Sequence, residues 1–340
     1  MSPYRNAALF LLLAAVWGSA FAAIKAGLAF FPPVLFAAVR YDVAGVVMLA
    51  YAWYAVDDPV PRGRAEWTEV AVGATLLIAA YHAFLFVGQT DPAVSSAAAA
   101  VIVGLNPVLT TGFSRALLPS ERLSPLGLVG LVVGFAGAVV LAEPDAAALA
   151  GTGAGSDPLS FARLFEGGVA AGVGRLADAA VALLGTGGVA KGLVFLAVVS
   201  FALGGVLTRR VDSGLEIEPM EAWSMLLGAL LMHAVSVAMG ERVADVTWTV
   251  EAAAALAYLS LAASALGFLV YFDLLDRLGP VEINLVSYVS PVFAALAGWV
   301  LLAETPTRAT AVGFCLIFAA FLLLKRAAVR AELRRLVSSA

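Results

Sequence analysis

The chain has one cysteine, Cys315, in 340 residues, so it offers neither a disulfide nor a cysteine-ligated metal framework. Its two histidines, His82 and His233, are too few for a histidine-rich metal site. Charged residues make up 13% of the chain, about half the share of a soluble globular domain. Lysine occurs only at Lys25, Lys191 and Lys325. The signatures of zinc proteases, of serine hydrolases with a nucleophile elbow and of phosphate-binding loops are all missing. The short alternating segments of a β-barrel are missing as well.

What the sequence has instead is apolar length. Hydrophobic residues account for 62% of the chain, and a spanning helix needs roughly 20 of them in succession. Ten stretches reach or approach that length: Ala7–Phe30, Val34–Val56, Val70–Val87, Ala93–Phe113, Leu126–Leu141, Val189–Leu207, Met220–Met239, Ala252–Phe272, Ile283–Leu302 and Ala309–Leu324. The expected fold is all-α: a polytopic membrane protein of ten transmembrane helices in two inverted five-helix repeats. An odd number of crossings per repeat turns the second copy upside down, which is the ground plan of many secondary transporters. The first stretch is too long for a cleaved signal peptide and reads as a retained anchor.

This divides the chain into a first repeat at 1–142, an external linker at 143–188, a second repeat at 189–325 and a basic tail at 326–340. The linker holds an apolar stretch broken by charges, which fits an interfacial helix better than an eleventh crossing. With the amino terminus inside, inner segments carry 13 Lys and Arg against six on the outer side. That bias predicts a multi-pass protein of the cell membrane with both termini cytoplasmic.

The repeat is visible in the residues. Asn106-Pro107-Val108 is followed by Glu121, and Ser290-Pro291-Val292 by Glu304; the prolines lie 184 positions apart and the glutamates 183. The same offset sets His82-Ala83-Phe84-Leu85 against Leu266-Gly267-Phe268-Leu269. Several matches in order at a near-constant spacing indicate duplication.

With these motifs, together with Trp17-Gly18 and Arg40, the chain resembles the EamA family of the drug/metabolite transporter superfamily. The resemblance implies five crossings per half and export of amino acids or related metabolites. It departs from the family in the length of the linker.

Pro107 and Pro291 each lack an N–H and free the carbonyl four residues back, at Val103 and Ser287, so each is expected to bend its helix. Paired interruptions in the two halves point to a binding site, which makes Asn106, Pro107, Ser290 and Pro291 candidates for the substrate path. Arg40 joins them, because it lies roughly 10 Å into its helix, too deep to snorkel easily, and Asp42 faces the other side. Its alternative role is structural. Trp17, Tyr81 and Tyr288 are candidate aromatic walls, with bundle packing as the competing reading. Glu282, Asn284, Asp273 and His82 are candidates for a cytoplasmic gate or proton site, against solvated helix ends and a satisfied histidine.

The function expected is alternating-access transport of a small organic solute, without an organic or metal cofactor and without nucleic acid. Membrane lipids are the other partner, and proton or sodium coupling and a homodimer stay open. An intramembrane enzyme would need clustered acid, base or metal-ligand residues at one depth. A receptor or assembly subunit would use the linker as its partner surface.

Overall fold

The computed structural model describes residues 3–117, scattered helical positions between 129 and 140, 187–278, 283 and 286–324. Glu121, the linker and the basic tail therefore lie outside the described residues, as do Glu282 and Asn284. Those described form helices with no strand among them. Seven of the helices are long and apolar enough to cross a membrane, and Val286–Leu302 and Arg308–Leu323 are shorter apolar helices.

The helices are α1 (Pro3–Gly27), α2 (Pro33–Ala55), α3 (Arg64–Gln89), α4 (Ser96–Leu117), α5 (Gly188–Val211), α6 (Ile217–Ala238), α7 (Val250–Leu278), α8 (Val286–Leu302) and α9 (Arg308–Leu324). Local chemistry sets several of their starts. Pro33 opens α2, where its missing N–H has no helical partner to lose. The hydroxyls of Ser95 and Thr249 accept the N–H groups of Ala98 and Ala252, each at 3.1 Å, capping α4 and α7.

Packing interlaces the halves. Extensive contacts join α3 to α5, α2 to α6 and α1 to α8, and α5 also lies on the second part of α4. Each half's first helix thus rests on the other half's fourth crossing. Gly18 permits this on the α1 side: a Cβ there would lie 2.3 Å from the carbonyl oxygen of Ser290. We expect Gly18→Ala to force the helices apart at a cost of about 1–3 kcal/mol, measurable as a lowered unfolding temperature in detergent.

The prolines behave differently in the two halves. The fourth crossing breaks into a turn at Gly104 and Leu105 and restarts at Asn106, one residue before Pro107. The equivalent helix α8 continues through Pro291 without a break.

A second paired feature carried no proline signal. α3 winds as a π-helix over Gly73–Ala80 and α7 over Tyr258–Leu266; the repeat offset carries Ala74 onto Tyr258. A wide turn loosens the usual carbonyl pairing. In each case a side chain from the opposite half meets a carbonyl: Ser200 Oγ donates to Leu76 O at 2.9 Å, and Trp17 Nε1 to Ala263 O at 3.0 Å.

Candidate functional site

The seam between the halves encloses a cavity of about 390 Å³. Trp17 and Phe21 enter it from α1, Arg40 and Tyr41 from α2, Tyr81 and His82 from α3, and Val103 and Asn106 from α4. The second half supplies Phe201, Gly205 and Arg209 from α5, Met220 and Glu221 from α6, Phe268 and Tyr271 from α7, and Ser287 and Ser290 from α8. Most of this wall is apolar or aromatic with a few polar groups, the usual make-up of a small-molecule site.

Arg40 is 6% exposed. Its Nε donates to Ser264 Oγ at 3.0 Å, and its guanidinium carbon lies 5.2 Å from the centre of the Tyr41 ring and 6.0 Å from that of Phe86. Ser264 stands within the π-helical stretch of α7, so the second wide turn positions the group that orients Arg40. Among the described residues that is Arg40's one hydrogen bond, and no carboxylate pairs with it. Its terminal nitrogens are left for whatever enters the cavity.

His82 is held on both sides. Nδ1 meets the carbonyl of Ile78 at 2.8 Å and Nε2 the hydroxyl of Tyr41 at 2.7 Å. A carbonyl only accepts, so Nδ1 carries the hydrogen and Nε2 accepts from the tyrosine. Tyr81 stacks edge-on against His82 and tilts against Phe201, and Trp17 packs on Phe268 and Tyr271.

The other sequence candidates sit elsewhere. Pro107 and Pro291 are buried beside the lining residues Asn106 and Ser290 without reaching the cavity. Tyr288 turns toward α9, packing on Phe318 and Phe321. Asp273 pairs with Arg277 one turn on, at the surface of α7. Asp42, turned away from Arg40, meets His233 at 2.7 Å.

Sequence reasoning missed Glu221, Arg209 and Ser264. Glu221 was masked by its place near a helix start; among the described residues its carboxyl has no hydrogen-bond or ion-pair partner.

Among the described residues the cavity has an open and a closed end. At the end where α1 begins, Ser213 and Trp223 bond to Glu69 and to the carbonyl of Pro59, which fixes the ends of α5 and α6 there. Thr208, Arg209 and Ile217 line the cavity at this level, and Arg209 and Ile217 are exposed. At the opposite end Phe31 stacks on Phe36 at 4.6 Å, with Trp248 and Phe86 edge-on around them. There Glu241 accepts the N–H groups of Val34 and Leu35.

Comparison with known proteins places this architecture. The profile of the EamA-like transporter family matches residues 5–142 and 190–326. A WAT1-related chloroplast protein of Arabidopsis thaliana is 26% identical over 310 residues, which cover 90% of this chain and 66% of that protein. The chain thus spans just under two thirds of the plant relative. The transporter YvbV of Bacillus subtilis, named as uncharacterized, is 25% identical over 92% of this chain and 89% of its own. The inner membrane transporter YedA of Escherichia coli, likewise named uncharacterized, is 26% identical over 86% and 81%. A crystal structure of 22% sequence identity superposes with a TM-score of 0.60, covering 97% of this chain and 100% of that one, and shares the fold.

Proposed function

The chain belongs to the EamA-like transporter family, an integral membrane protein of two such repeats, and we propose that it exports a small carboxylate-bearing metabolite such as an amino acid by alternating access. The observation that carries this reading is Arg40: a buried guanidinium whose outer nitrogens have no partner among the described residues, facing a cavity on the seam of two repeats. A charge at that depth is costly unless it meets an opposite charge, and a planar fork matches a carboxylate. The aromatic walls suit an apolar side chain. Arg209 and Glu221 put both signs of charge near the open end, which favours a zwitterion over a multiply charged anion.

In this reading the cavity opens to the cytoplasm, both termini are cytoplasmic and the membrane is the cell membrane, following the distribution of Lys and Arg. With Cys315 replaced by serine, an impermeant maleimide on intact cells should label cysteine at Ala244, in the loop after α6, and spare cysteine at Asp57, after α2. Labelling in the reverse pattern would invert the topology.

The functional test is solute counterflow in proteoliposomes, screened over amino acids and simple carboxylates. Saturable exchange without ATP supports the proposal, and no exchange of any carboxylate defeats it. Flux coupled to protons or sodium should collapse with the matching ionophore, whereas facilitated diffusion should not. A homodimer in a lipid bilayer is part of the same proposal and is read by subunit counting in the vesicles.

A further inference from the structure

At the closed end, three helices from both halves meet on one carboxylate. Glu304, just past α8, accepts the N–H of Ser96 at the start of α4 at 2.9 Å through Oε2. Its Oε1 lies 3.3 Å from Lys25 Nζ on α1. Lys25 also donates to the carbonyl of Val94 at 2.5 Å. The two side chains are 20% and 15% exposed, so water screens this pair far less than a surface ion pair.

The backbone is shaped to aim Glu304 there. Ala303 takes φ 54°, a left-handed conformation usually left to glycine, and the N–H of Glu304 folds back to the carbonyl of Gly298 at 3.0 Å. Gly298 makes room for the carboxylate: a Cβ there would stand 2.4 Å from Oε2. Among the described residues Lys25 is the partner of Oε1, which has no hydrogen bond. Losing the lysine would leave a buried carboxylate oxygen bare.

The other end shows the opposite state. The repeat offset of 184 places Arg209 where Lys25 stands in the first half. Arg209 lines the open mouth, is exposed, and has no ion pair among the described residues. One basic position of the repeat is latched, and its counterpart has no ion pair among the described residues.

We propose that Lys25 and Glu304 form the latch that holds the end of the path opposite the amino terminus shut, and that their separation is the step that opens it. The proposal rests on the alternating-access reading above, in which two inverted halves rock about a central site.

The test reads accessibility and needs no flux. In a Cys315→Ser background, a cysteine replacing Ser287, which lines the cavity, should resist an impermeant thiol reagent applied from outside. Adding Glu304→Ala, Lys25→Met or Gly298→Ala should raise that labelling rate about tenfold or more, a 1.4 kcal/mol shift of the closed–open balance. Glu304→Gln, which keeps an acceptor for Ser96, should raise it less than Glu304→Ala. Labelling from the other face in inverted vesicles, unchanged in rate, verifies that each variant is folded. Folded variants that stay protected from outside overturn the latch. Because labelling is independent of substrate, an open latch without any counterflow would sink the transport reading and leave the latch standing. Counterflow with protection unchanged would do the reverse.

Discussion

Arg40→Ala should abolish counterflow while the protein still folds. Arg40 supplies the positive charge in the middle of the cavity, and a carboxylate that loses it sits among aromatic walls with Arg209 only at the open end. Truncating one partner of a buried, hydrogen-bonded charge pair costs about 2–5 kcal/mol, which is about thirtyfold to several thousandfold in affinity. The folded state loses a bond to Ser264 and contacts with two rings, and it also sheds a buried charge whose desolvation opposed folding. The unfolding temperature should therefore stay near that of the unaltered protein. Arg40→Lys should restore only part of the flux, because a point charge replaces a planar fork. Unchanged flux in the alanine variant would remove Arg40 from the path; loss of folded protein would make it structural.

Much of this arrangement was legible in the sequence because it follows from short-range chemistry. Apolar length gave the helices, and the offset of 184 exposed the repeat. Arg40 stood out for the same reason: a charge roughly two turns from a helix end has no local remedy. The pairs Asp42 with His233 and Lys25 with Glu304 were out of reach, since each joins helices nearly 200 residues or more apart. The repeat offset relates equivalent positions and does not say which ones touch. Tyr288 shows a different limit. Its helix is apolar nearly all round, so periodicity does not fix which face meets the cavity and which meets α9. The π-helical turns left no mark in the sequence, and the side chains that meet their carbonyls, Trp17 and Ser200, come from the opposite half.

Gly205→Trp should stop transport by filling the path. Gly205 lines the cavity on α5, and a Cβ built there meets no atom within 4 Å, so the first atom of a new side chain has room and an indole can extend into the open space. Helix α5 is held by Gly204, one position earlier, where a Cβ would press on Leu76 and Leu77 at 2.9 Å; the two adjacent glycines therefore separate packing from passage. Gly205→Ala should leave flux within about twofold and add slightly to helix stability, since alanine is favoured over glycine by about 1 kcal/mol inside a helix. Gly205→Trp should lose at least about tenfold in counterflow and in solute affinity, the minimum expected when a bulky group displaces the ligand from its pocket at a cost of about 1.4 kcal/mol or more. Binding of a carboxylate solute by calorimetry, beside flux and unfolding temperature for both variants, checks this. A folded tryptophan variant with full flux would show that the cavity is a packing void and that solute crosses by another route.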